Sequence, residues 1–192
     1  MWDELVKLIK ENPDQINALA AVCALLISFL SILLTFIALS LQRQHNFKSV
    51  TPIASILIGD FEDNLHVTLK NTGIGPAIIE QFRVFYEKEE KDNIISWMPI
   101  SPMGINWANF TPNIDGRSIT PNESLIVLQL IGNPSDEEFA AFRDDVRRAL
   151  KGLTVSLLYK DIYDRRMPIE QRDLKWFARN LAEEDLVIIK DI

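Results

Sequence analysis

The sequence is poor in the residues that most often build catalytic and metal sites, with one Cys and two His among 192 residues. Cys23 cannot pair within the chain, which excludes a disulfide-stapled scaffold, and His45 and His66 are too far apart in sequence to give metal-ligand spacing. Glycine and proline are also sparse, at 7 and 9 residues, which excludes collagen-like and low-complexity classes. An excess of positive charge is missing too. Lys and Arg total 20 against 27 Asp and Glu, a net charge of −7, whereas nucleic acid or anionic lipid needs a concentrated positive field. No cofactor and no metal are implied.

What is present is unevenly distributed. Ile16 to Leu41 runs for 26 residues without a charge, so much of the 47% hydrophobic content sits in one segment. A helix needs about 20 apolar residues to cross the roughly 30 Å hydrocarbon core, and this run exceeds that with room for tilt. A cleaved signal peptide fits less well, because its apolar region is shorter and its flank basic, whereas Asp3, Glu4, Glu11 and Asp14 precede this run. The expected span is 13–46, opened by Asn12 as cap and Pro13 at the first helical position. Before it, 1–12 reads as an interfacial amphipathic segment anchored by Trp2.

The span has two faces. Asn17, Ala21, Ala24, Ser28, Ser31, Thr35, Ala38 and Gln42 follow alternating steps of four and three, a heptad seam on which every member is small or polar. Leu19, Val22, Leu26, Phe29, Leu33 and Phe36 form a bulky opposite stripe. Helices in lipid associate by close approach at small residues and by interhelical hydrogen bonds, so the seam predicts self-association. The competing reading has the hydroxyls bonding back to their own helix. A sharper one has several copies lining a pore with them. Arg43 close to the apolar boundary and the lack of cysteines beyond the span place the C-terminal domain in the cytoplasm.

Beyond Ser49 the period changes to about two. Ile53 to Phe61, Leu65 to Leu69, Phe82 to Tyr86, Leu125 to Ile131 and Leu153 to Tyr159 read as strands separated by turn residues, which predicts one β-rich domain over 50–192, an antiparallel sandwich or barrel. One helix interrupts it. Ser135 and Glu138 have capping-box spacing, Phe139, Phe142, Val146 and Leu150 form its apolar stripe, and Gly152 follows its end. A second helix is expected over 173–183.

The run Asn71-Thr-Gly73-Ile-Gly75-Pro76-Ala77 invites comparison with a phosphate loop. It lacks the third glycine and the following helix, and reads instead as a structural turn with glycines in strained dihedrals. Together with Tyr159, Asp161 and Tyr163, this stretch resembles a pattern in small, uncharacterised bacterial single-pass membrane proteins. These carry an N-x-G-x-G-P-A turn and a late Y-x-D hairpin in a C-terminal β-rich domain. The resemblance implies a fold and membrane tethering but does not point to an activity; the expected location is a bacterial inner membrane. Where such proteins usually have glycine in the last turn, this chain has Asp164.

Three groups remain as candidate surfaces. Asp60, Glu62, Asp63, Asp161 and Asp164 are either a hydrolytic or cation-binding cluster or solvated turn formers. Arg143, Arg147 and Lys151 step along one helix face, with Arg165 and Arg166 at a hairpin, as a site for a small anionic ligand or headgroups, or as a solvated face. Trp97, Trp107 and Phe110 lie in a Pro-rich stretch over 96–112 that either grips a partner or closes one end of the sandwich. The expected function is a membrane-anchored, self-associating protein whose cytoplasmic domain binds a partner protein or small ligand, with a sensor–effector as its sharper form. The alternatives are a tethered hydrolase using carboxylates and a scaffold subunit of a mixed membrane complex.

Overall fold

A computed structural model describes residues 13–181. The expected interfacial segment over 1–12 lies outside these residues. The chain divides into two units at Lys48/Ser49. The first contains one long helix, α1 (Pro13–Lys48), with Asp14 in its first turn and His45 and Lys48 in its last, the order the helix dipole favours. It runs two residues past the expected boundary at 46. Its 36 residues span about 54 Å at 1.5 Å per residue. Every residue from Asn17 to Asn46 is exposed. Among the described residues α1 is the one helix long and apolar enough to cross a membrane.

The second unit is a two-sheet antiparallel sandwich with neither sheet closed, so the open alternative holds over the barrel. One sheet has the order β1-β2-β7-β5, from β1 (Ala54–Asp60), β2 (Asn64–Asn71), β5 (Asn109–Phe110) and β7 (Ser124–Ile131). The other has the order β4-β3-β8-β9, from β3 (Ala77–Tyr86), β4 (Glu89–Lys91), β8 (Thr154–Lys160) and β9 (Glu170–Asp173), with β6 (Ser118–Ile119) also pairing with β3. The alternation in the sequence sets which side chains face inward. Leu65, Val67 and Leu69 of β2, Phe82 and Val84 of β3, and Val155 and Leu157 of β8 are all buried in one core, as period-two patterning requires.

The sandwich has two distinct ends. At the first, which we call the linker end, β1 begins, β2 ends, β3 begins and β8 ends. The pairs Ala54 with Asn71 and Ile78 with Lys160 mark it, and five residues, 49–53, join it to α1. At the other, the helix end, α2 (Glu137–Leu150) lies between β7 and β8 and buries Phe139, Phe142, Val146 and Leu150. Its cap is Asp136, whose side chain accepts from the Glu138 amide at 3.0 Å. The expected cap, Ser135, is displaced by one residue because Asp136 reaches the second amide of the helix directly.

The expected helix over 173–183 does not form within the described residues. Glu170–Asp173 pairs with β8 as an edge strand, and only Lys175–Ala178 makes a short 3-10 turn. Leu174, Phe177 and Leu181 are nevertheless buried, so the apolar spacing is satisfied by a tight turn. Its far end, beyond Leu181, lies outside the described residues.

Candidate functional site

The Asn71 loop at the linker end is a clamp built around one buried side-chain amide. Asn71 Oδ1 accepts from the Ile53 amide at 3.2 Å and the Gly73 amide at 3.0 Å. Its Nδ2 donates to the Gly75 carbonyl at 2.8 Å and the Ile119 carbonyl at 2.9 Å. One fully buried side chain thus satisfies four backbone groups from three segments, which otherwise would be costly to bury. The Thr72 amide donates to the Ile53 carbonyl and the Ile74 amide to the Thr51 carbonyl. Residues 51–53 are therefore zipped onto the loop before β1 begins.

The two motif glycines are needed for close approach, not for strained dihedrals as expected. A Cβ on Gly73 would collide with the backbone of Pro52 and Ile53, and one on Gly75 with the Val50 carbonyl. Positive φ occurs instead at Gly104 and Gly116, and at Glu87, Asn122 and Asp164 among non-glycine residues. Pro76 and the buried Ala77 lead into β3. Asp164, at φ 60°, takes the left-handed conformation that glycine would otherwise supply, which Asp tolerates.

A second element closes the same end. Asp161 is buried, and its Oδ1 accepts from the Tyr163 and Arg165 amides at 2.8 and 3.0 Å. Its Oδ2 is gripped by both Arg165 Nε and the terminal guanidinium nitrogen at 2.7 Å. Burial opposes ionisation of Asp161, but the amides of Arg165 and Tyr163 and the Arg165 guanidinium outweigh it and hold the carboxyl below its ordinary range. Arg166 pairs with Glu80 at 2.8 Å. Tyr159, buried beside this turn, is raised above the usual tyrosine range, chiefly by burial.

At the helix end Arg143 and Arg147 of α2 turn inward. Neither the solvated face nor the ligand surface expected of Arg143 and Arg147 holds, because they are 7% and 1% exposed. Arg147 donates to Asp60 Oδ1 from Nε and a terminal nitrogen at 2.9 and 2.8 Å, and to Asp144 at 2.8 Å. Arg179 and Asn180 take the other Asp60 oxygen at 3.2 and 3.0 Å, and Arg143 pairs with Glu62 at 2.5 Å. Burial disfavours the Arg147 charge, but Asp60, Asp144 and Glu62 outweigh that and raise it above its ordinary value. Asp60 is likewise no solvated turn former. Its two carboxylate oxygens are taken up by arginines and an amide.

The aromatic residues of 96–112 are dispersed. Trp97 tilts against Tyr86 with ring centroids 5.9 Å apart and carries Lys91 Nζ 3.9 Å above its ring. Trp107 meets Phe142 of α2 edge-on at 5.7 Å, and Phe110 is exposed in β5. Both tryptophans thus pack on the core. A hollow of about 330 Å³ lined by Tyr86, Glu87, Arg148, Lys151, Gly152, Lys175 and Ala178 adjoins one of about 240 Å³ lined by Tyr86, Trp97, Arg148, Ala149 and Leu153. Lys151 and Trp97 of this concave surface stand out in the sequence, but Tyr86, Arg148 and Lys175 do not, since its cations come from α2 and from the turn after β9. Among the described residues no three His, Cys, Asp or Glu side chains converge as a metal site.

In α1 the hydroxyls of Ser28, Ser31 and Thr35 each donate to the carbonyl four residues earlier, at 2.8 Å. The remaining seam positions, Asn17, Ala21, Ala24, Ala38 and Gln42, are exposed. No protein-family model, curated protein or solved structure matches the chain.

Proposed function

We propose that this is a single-pass membrane protein that self-associates through the seam of α1 and uses its β-sandwich to bind a partner or small ligand, signalling to the assembled helices without catalysis. The observation that carries this reading is the exposure, from Asn17 to Asn46, of an apolar helix long enough to span a bilayer, in which the small or polar residues between Ser28 and Leu39 all fall on one stripe. The back-bonded hydroxyls change the physical basis of association. Their protons are already used within α1, so close packing of Ala21, Ala24, Ser28 and Ser31 drives it, more than interhelical donation. In this reading the chain sits in a bacterial inner membrane with its C-terminal domain in the cytoplasm, supported by Arg43 close to the apolar boundary and by the lack of cysteines beyond the span.

The hollows beside Tyr86 and Trp97 support the binding part of this reading. They combine aromatic walls with Arg148, Lys151 and Lys175, a chemistry that suits a small anion with a flat apolar body. Mass determination of the purified full chain in detergent tests self-association. Several copies are expected for the wild type and fewer for Ser28→Phe/Ser31→Phe. An unchanged mass in that variant would refute the seam, and stoichiometric recovery with a different protein would favour a scaffold role.

A further inference from the structure

We propose that the linker end of the β-sandwich rests on the lipid surface, with Ile74 and Ile162 dipping into the bilayer interface. The argument rests on the reading of α1 as a span. Ile74 is at the tip of the Asn71 loop and is 70% exposed, while Ile162 and Tyr163, at the tip of the turn after β8, are 48% and 50% exposed. Both tips belong to one end of the sandwich, because Ile78 next to the first pairs with Lys160 next to the second. Each tip is held rigidly by the hydrogen bonds of Asn71 and Asp161, so these apolar side chains have no inward alternative. Isoleucine and tyrosine at loop tips fit the boundary between headgroups and acyl chains.

Chain length brings this end to the membrane. The apolar run stops at Leu41, and the six residues from Arg43 to Lys48 rise about 9 Å as helix. That is enough to cross one headgroup layer, about 5–8 Å thick. Thr51 is already bonded to Ile74, and the three residues from Lys48 to Thr51 reach at most about 11 Å. The clamp therefore holds Ile74 close to where the chain leaves the bilayer.

Charge agrees with this placement although the domain as a whole is acidic. At the linker end Lys160, Arg165 and Arg166 balance Glu80, Asp161 and Asp164 through direct pairs. The exposed acids Asp136, Glu137 and Glu138 start α2 at the other end, where repulsion from anionic lipid favours their pointing away. The still more exposed Ile100 and Met103 belong to the segment that packs near Tyr86 and Phe142 and are therefore assigned to water.

Lipid quenching in the reconstituted full chain tests the proposal. An environment-sensitive fluorophore is placed on native Cys23, or in the Cys23→Ala background on Ile74→Cys, Ile162→Cys or Met103→Cys. The vesicles contain phosphatidylcholine, phosphatidylglycerol and spin-labelled lipid. Labels at 23, 74 and 162 are expected to shift to the blue and lose intensity, and the label at 103 is expected to do neither. Quenching at 23 with water-like signals at 74 and 162 would overturn lipid contact while leaving the span intact. Labels at 74 and 162 shielded from water but unquenched would place a protein there and overturn it equally. No quenching at 23 would remove the span itself.

Discussion

At the linker end of the sandwich the polar group that fastens the incoming chain is a neutral amide, Asn71, joined only to backbone groups, while the buried Asp161 at the same end is bonded within its own turn. At the helix end the fastening group is a carboxylate, Asp60, joined to the side chains of Arg147, Arg179 and Asn180 from distant parts of the chain. The amide fastens backbone segments to one another without bringing charge into the core. The carboxylate fastens α2 and the turn after β9 to β1, and its desolvation is offset only while its arginines remain. One end is thus built to hold the incoming chain in place, and the other to hold its own covering helix.

Removing a partner should separate the two ends most clearly. Arg147→Met leaves Asp60 and Asp144 short of their buried cation and is expected to cost about 3–5 kcal/mol in denaturant unfolding. Asp60→Leu/Arg147→Met, which removes both charges, should cost less than Arg147→Met alone. If the single and double variants lose equally, Asp60 is not the group that Arg147 serves. Asn71→Leu strands four backbone groups and is expected to cost about 3 kcal/mol, with faster proteolysis confined to 49–53.

Glycine substitutions sharpen the contrast on a smaller scale. Gly75→Ala forces a Cβ against the Val50 carbonyl and should destabilise by about 1–3 kcal/mol through displacement of the linker. Gly116→Ala meets open space but sits at φ 79°, and should cost about 1 kcal/mol with the linker unaffected. Equal linker proteolysis in the two variants would contradict the assignment of contact to one and dihedral to the other.

The smallest effect concerns pH. Because the Asp161 carboxyl is held below its ordinary range in the fold, after burial is outweighed by its amide and guanidinium donors, its contribution is fully present above the unfolded value of about 3.9. It is lost as pH falls through the lower folded value. Asp161→Asn should therefore flatten part of the acid limb of the stability profile and leave its neutral region shifted by a constant. A full acid limb in that variant would assign the titration to another group.

Much of this architecture is legible from local pattern. The charge-free run marks α1, short apolar runs mark β1 and β7, and period-two alternation marks β2, β3 and β8, because each carries its own inward-facing residues. The short strands β4, β5, β6 and β9 are not legible: Glu89–Lys91 and Glu170–Asp173 have no apolar alternation and are strands only because a neighbour offers them hydrogen bonds. The same limit applies to the sites. A cation at four-residue steps looks alike whether it faces water or a buried acid, and the acid for Arg147 is 87 residues away. The Asn71 motif is visible as a turn, but its bond to Ile119, 48 residues on, has no local signature.

The claim that joins fold to function is that Asn71 fastens residues 51–53, the chain that follows α1, to the sandwich. Amide hydrogen exchange of Ile53, Thr72 and Ile74 in the full chain embedded in lipid tests it most directly. Protection comparable to that of the β2 and β3 core amides, lost in Asn71→Leu, is the predicted result. Exchange of these three amides at the rate of an unstructured linker in the wild type would contradict it.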